Sequence, residues 1–248
     1  MKRLVVGLLL LSGAAFAQDA IPVGTVLPVE LRSSLNSQKS RPGQTITARI
    51  MQDVPLSPGK KIRAGTKVVG HVVNVRPAAD GQRAEMTLRF DELNFAHRFV
   101  PVTTSLRALA SMMEVEDAQI PPTGPDRGTP WAWATRDLIG GEVAYGQGGP
   151  VARGTEIVGH ALSEGVLVPV EASRNSGCRG ELAGNTRPQA LWVFSSDACG
   201  VYGFADVRIS HAGRRAPEGE ITLISRGEKL DIRSGSGLLL RVNGANPQ

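Results

Sequence analysis

The chain has 248 residues, a formal net charge of +5, 41% hydrophobic residues and 4% aromatic residues. That length allows one large β domain or two small ones, each with its own core. Its charges are scattered rather than gathered into basic runs, which argues against a nucleic-acid partner; after the N-terminus no apolar run approaches the about 18 residues of a spanning helix, and the aromatic residues are too few for the girdles of an outer-membrane barrel.

At the N-terminus, Lys2 and Arg3 precede the apolar run Leu4 to Leu11, and Ala15-Phe16-Ala17 supplies a small-x-small cleavage site. Residues 1–17 therefore read as a cleavable secretory signal peptide, with no Cys following that could take a lipid. Cleavage leaves 231 residues beginning near Gln18, lowers the formal charge to +3 and predicts a periplasmic or secreted protein without a transmembrane span.

Strand patterns follow. Leu27, Val29 and Leu31 fall at alternate positions, as do Ile46, Ala48 and Ile50, which predicts two half-buried strands. Thr66 to Val75 carries valines on both faces and reads as a central strand. In Arg83 to Asp91 the alternation is complete: Ala84, Met86, Leu88 and Phe90 share one face, and Arg83, Glu85, Thr87, Arg89 and Asp91 the other. Asp80-Gly81 between these two segments predicts a tight hairpin. Residues 22–107 are thus expected to form a first β lobe.

From 108 to 150 the pattern fails amid Pro121-Pro122, Pro125, Pro130 and the glycines from Gly140 to Gly149, which predicts a long connection with a short helix over Ser111 to Asp117. Trp131 and Trp133 stand in this connection. Large aromatics pin loose segments by burial, so a latch across the lobes is one reading, and an exposed glycan-stacking or partner platform is the other.

Alternation resumes in the last third, at Ala205, Val207 and Ile209, at Leu230 with Ile232, and at Leu238, Leu240 and Val242, so residues 151–245 are expected to form a second β lobe. Cys178 and Cys199 are the two cysteines of the chain, and an even pair in an oxidising compartment predicts a disulfide. Closing about 22 residues stabilises by about 3 kcal/mol through the unfolded chain. Trp192, between them, is expected in the core beside the bridge.

Gly65-Thr66-Lys67-Val68-Val69-Gly70-His71 is echoed by Gly154-Thr155-Glu156-Ile157-Val158-Gly159-His160. Gly-Thr before alternating valines is what a turn entering a strand looks like, so the echo reads as convergence more readily than duplication. His71, His97, His160 and His211 are far apart, and none has metal-ligand spacing with another; no metal or cofactor is expected. Nucleophile elbow, phosphate-binding loop, dinucleotide fingerprint and zinc-protease helix are all missing from the sequence. The carboxylates Asp91 with Glu92, and Glu114 with Glu116 and Asp117, read as solvated groups on an edge or a short helix rather than as an acid–base pair.

One stretch carries a family likeness. Gly24-Thr25-Val26-Leu27-Pro28 with Leu31, Pro42-Gly43-Gln44 followed by Ala48, Asp53-Val54, Ile62 with Ala64-Gly65-Thr66 and Gly70, and Gln82-Arg83 before Leu93 together make Pro22 to about Leu106 resemble the C-terminal β domain of TrbI-type scaffold proteins of type IV secretion and conjugation systems. The resemblance implies a compact β barrel or sandwich used in envelope assemblies, with no catalytic residues. Those scaffolds are generally held by an inner-membrane helix and a Pro-rich spacer, in place of which this chain carries a cleavable signal.

The expectation is an all-β exported protein of two barrel- or sandwich-like lobes, non-catalytic, with a structural or interaction role among envelope proteins. A glycan-binding module using Trp131 and Trp133 is the alternative, and an unrecognised hydrolase the third.

Overall fold

A computed structural model describes residues 21–79, 81–95, 98–119, 135–145, 152–153, 156–157, 160–162, 165–169, 190–196, 198–210 and 218–244. These residues are mostly strand. In chain order the first strands are β1 (Val26–Leu31), β2 (Leu35–Asn36), β3 (Thr45–Ile50), β4 (Val54–Ser57), β5 (Lys60–Ile62), β6 (Lys67–Arg76), β7 (Ala84–Phe95), β8 (Arg98–Pro101) and β9 (Thr103–Ala110). Helix α1 (Met112–Gln119) follows, then β10 (Thr135–Leu138), β11 (Glu142–Tyr145), β12 (Ala152–Arg153), β13 (Glu156–Ile157), β14 (His160–Leu162) and β15 (Gly165–Pro169). The last are β16 (Gly200–Tyr202), β17 (Val207–Ile209), β18 (Ile221–Ser225), β19 (Asp231–Ile232) and β20 (Gly237–Gly244).

Ten strands form one sheet in the order β16-β9-β20-β1-β3-β6-β7-β18-β17, with β8 also paired to β7. The two ends of this path, β16 and β17, are separated by residues 203–206 alone, and β9 returns to β7, where Thr104 Oγ1 donates to the Phe90 carbonyl at 2.8 Å. The sheet therefore curls into a nearly closed barrel. Its interior is filled by the inward positions that period-two alternation marks: Leu27, Val29, Leu31, Ile46, Ala48, Ile50, Ala84, Met86, Leu88 and Phe90 are each at most 1% exposed. The Asp80-Gly81 signal marks a real hairpin, since Gln82 N donates to the Ala79 carbonyl at 2.8 Å and Gly81 takes φ +76°. β6 is central in the order, as expected, but only Val68, Gly70 and Val72 are buried; Val69, His71 and Val73 face outward and are half-buried.

The expected boundary between lobes does not follow the sheet. β20 lies between β1 and β9, pairing Leu240 with Leu27 on one side and with Leu106 on the other, and β18 pairs with β7. Thus β16, β17, β18 and β20, expected in a second lobe, instead join the sheet formed by β1, β3, β6, β7, β8 and β9. Within 108–150, the connection also carries more structure than composition implied: 108–110 end β9, α1 forms as expected with the Ser111 Oγ accepting from Glu114 N at 3.3 Å, and β10 and β11 pair as a hairpin around Gly140 and Gly141. Those two glycines take φ +108°, so there they are a turn signal rather than a sign of a linker.

A second apolar cluster lies on the outer face of β1, β9 and β20. Val26, Ala108, Ala110 and Leu239 are covered by Val115 and Ala118 of α1, by Ile139 and by Val193, Phe194 and Ala198. This explains why β9 is buried at Ala108 and Ala110 as well as at Leu106 and Leu109, which belong to the barrel interior. Trp192 is half-buried here, with φ +52°, and the enclosed positions go to Val193 and Phe194 instead. Gln52 Oε1 holds this segment to the barrel by accepting from Leu191 N at 3.1 Å and Trp192 N at 2.6 Å.

Candidate functional site

The outer face of β3, β6, β7 and β8 carries an open trough of about 520 Å³. Its origin is an irregularity in the β6–β7 ladder. Val69 pairs with Glu92 and Gly70 with Phe90, so Asp91 is an extra residue on β7, a β-bulge. Without the bulge, Asp91 and Glu92 would point to opposite faces; with it, both line the trough. Gly70 makes the close approach of the strands sterically workable, because a Cβ there would lie 2.0 Å from the Arg89 carbonyl oxygen. The parity slip is visible in the sequence, since the inward series 84, 86, 88, 90 resumes at the buried Leu93 rather than at 92.

His71 stands at the centre of this face, paired in register with Thr45 on β3 and Arg89 on β7. Its Nδ1 is 3.3 Å from Asp91 Oδ2, within ion-pairing distance when the imidazole is protonated. Arg89 is drawn toward the other side, its Nη2 3.6 Å from Glu220 Oε1. Glu92 is half-buried, and its carboxylate has no hydrogen-bond or ion-pair partner among the described residues. Pro101 and Val69 flank it, and Phe99, on the same face of β8, is 64% exposed at the rim. β8 pairs with β7 alone among the described residues, so the trough runs along a sheet edge.

Chemically, a carboxylate beside an imidazole is one element of acid–base work, but no hydrogen bond joins Asp91 to His71 among the described residues. Thr45, the hydroxyl in register with His71, makes no hydrogen bond to it among the described residues. No group of three or more His, Cys, Asp or Glu side chains among the described residues is arranged to hold a metal ion. What the trough does present is two carboxylates bordered by apolar surface and an exposed ring.

Cys199 is buried and disulfide-bonded, and its backbone is clasped by Tyr202: Cys199 N donates to Oη at 2.9 Å and Oη donates to the Cys199 carbonyl at 3.1 Å. Cys178, Trp131, Trp133, His97 and His211 lie outside the described residues, so the latch and platform readings of the two tryptophans both fall there. His160 begins β14 and His71 sits within β6, while residues 154–155 and 158–159 of the second half of the echo lie outside the described residues. Glu116 and Asp117 are exposed on α1, solvated as expected. No helix among the described residues is long and apolar enough to cross a membrane. No family model matches the chain, and no curated protein matches it.

Proposed function

We propose that this is an exported, non-catalytic interaction protein of the cell envelope, with the barrel as scaffold and the trough along β6 to β8 as its contact surface. The observation that carries the reading is Phe99, a large ring 64% exposed on an edge strand beside an open, partly apolar trough. Aromatic anchors flanking a pocket are the usual energetic centres of protein interfaces. The leader pattern of residues 1–17 supports export, and the TrbI-type likeness of residues 22–106 supports a place in an envelope assembly.

Two measurements test this. Fractionation with N-terminal sequencing is expected to find the chain processed near Gln18 and outside the cytosol; an unprocessed cytosolic chain refutes export. A photo-crosslinking residue placed at position 99 is expected to give a discrete adduct in the protein's own envelope, while one at the exposed Lys229, beyond the opposite end of β7, gives none. Val69→Trp, which fills the trough without changing its charge, is expected to abolish that adduct. Adducts of equal yield at both positions, or adducts that survive Val69→Trp, refute the trough as contact surface.

A further inference from the structure

We infer that the occupant of the trough is an extended segment of a partner protein that places an arginine between Asp91, Glu92 and Phe99. This rests on the trough being the contact surface, and it names the chemistry of what fits. The chain as a whole is basic, yet this trough is lined by two adjacent carboxylates. The neighbouring cation Arg89 is paired with Glu220, and Asp91 has His71 Nδ1 at 3.3 Å, so among the described residues Glu92 is the carboxylate of the trough without a partner. A half-buried carboxylate with no partner is a group whose desolvation a docking cation offsets.

Three features select arginine. Its planar guanidinium reaches two acceptors at once, which suits adjacent carboxylates better than a point-charge ammonium. It also stacks on aromatic faces, and Phe99 offers an exposed ring at the rim. Its three-carbon stem lies well against apolar walls, here Val69 and Pro101. The volume of about 520 Å³ leaves room for flanking residues, and the edge position of β8 favours a chain that runs alongside it. An anionic partner would meet like charge here.

The test is a ¹⁵N titration of the mature chain with blocked pentapeptides of sequence Val-Thr-X-Thr-Val, where X is Arg, Lys, Gln or Glu. The Arg peptide is expected to shift the amides of Val69, His71, Glu92 and Phe99. Glu92→Gln is expected to weaken it roughly tenfold and Phe99→Ala roughly fivefold, as for a charge-assisted contact and a cation–π contact at a partly open site. Dispersed spectra of both variants establish that they fold. A Gln peptide that binds as tightly as the Arg peptide, unchanged binding in Glu92→Gln, or shifts confined to other faces each overturn the inference. A dimer in sedimentation that Phe99→Ala dissociates would put a second copy in the trough and also overturn it. Crosslinks at position 99 that persist unchanged in Glu92→Gln sink the arginine alone and leave the contact surface standing, whereas absent crosslinks sink both.

Discussion

Leu240→Ala tests whether the C-terminal strand belongs to the barrel. Leu240 is fully buried and stands between Leu27 of β1 and Leu106 of β9, themselves at most 1% exposed. Removing three buried carbons at about 0.8 kcal/mol each loses about 2.4 kcal/mol of transfer free energy. The space they leave between two strands that cannot collapse adds about 1 to 2 kcal/mol, for a total near 4 kcal/mol. In a chain of this size that lowers the melting temperature by about 8 to 16 °C. The discriminating assay is native-state hydrogen exchange. In a single barrel the loss reaches β3 and β6, which contain no C-terminal residue, and their amides lose protection together with those of β20. If β20 exchanges faster while β3 and β6 keep wild-type protection, the C-terminal strands unfold as a separate unit and the barrel argument fails.

Gly70→Ala is expected to destabilise by about 3 kcal/mol, because the new methyl meets backbone at the Arg89 carbonyl rather than a side chain that can turn aside; a thermal melt within 2 °C of wild type would refute the close approach, that shift being under about 1 kcal/mol. Gln52→Ala removes the acceptor shared by Leu191 N and Trp192 N and is expected to cost about 1 to 2 kcal/mol. With Trp131 and Trp133 changed to Phe, a red shift of Trp192 emission reports the loosened segment, and an unchanged spectrum refutes the tie. The Asp53 carboxyl is held below its usual range by the Lys61 ammonium at 2.5 Å and by the Ala64 N–H at 2.8 Å. A depressed folded pKa means its contribution is in full above the unfolded value and is lost as pH falls through the folded one. Asp53→Asn is therefore expected to lower the urea midpoint at neutral pH and to flatten its decline below about pH 4; an acid limb as steep as wild type would refute the assignment.

Much of the barrel's interior is legible in the sequence. The alternation in Arg83 to Asp91 names four residues that are each fully buried, and Leu238, Leu240 and Val242 are inward as their spacing implies. The helix after Ser111 and the turn at Gly81 follow from local chemistry in the same way, through a capping hydroxyl and a positive φ. Where the reading fell short, a second covering layer was responsible. β9 is buried on both faces, and Trp192 yields the enclosed positions to Val193 and Phe194, because α1, residues 191–194 and Ala198 pack over the outside of the barrel. The trough was not legible as a site: Asp91 and Glu92 read as solvated carboxylates, and although the slip from 90 to 93 that marks the bulge lies in the sequence, His71, Phe99 and Pro101 join them only through β6 and β8.

The sequence by itself determined which side of each strand is oily, where turns fall and that the chain is built of sheet, since these depend on neighbours a few residues apart. Which strand lies beside which was decided only in three dimensions. Alternation tells a strand which face to bury but not against whom, and pairing Val29 with Leu238 spans more than two hundred residues of chain. The added closure entropy of so distant a pairing grows only slowly with length, so composition and spacing carry no mark of it. For that reason strands from both ends of the chain share one sheet, and a bulge between β6 and β7 brings Asp91 and Glu92 onto one face.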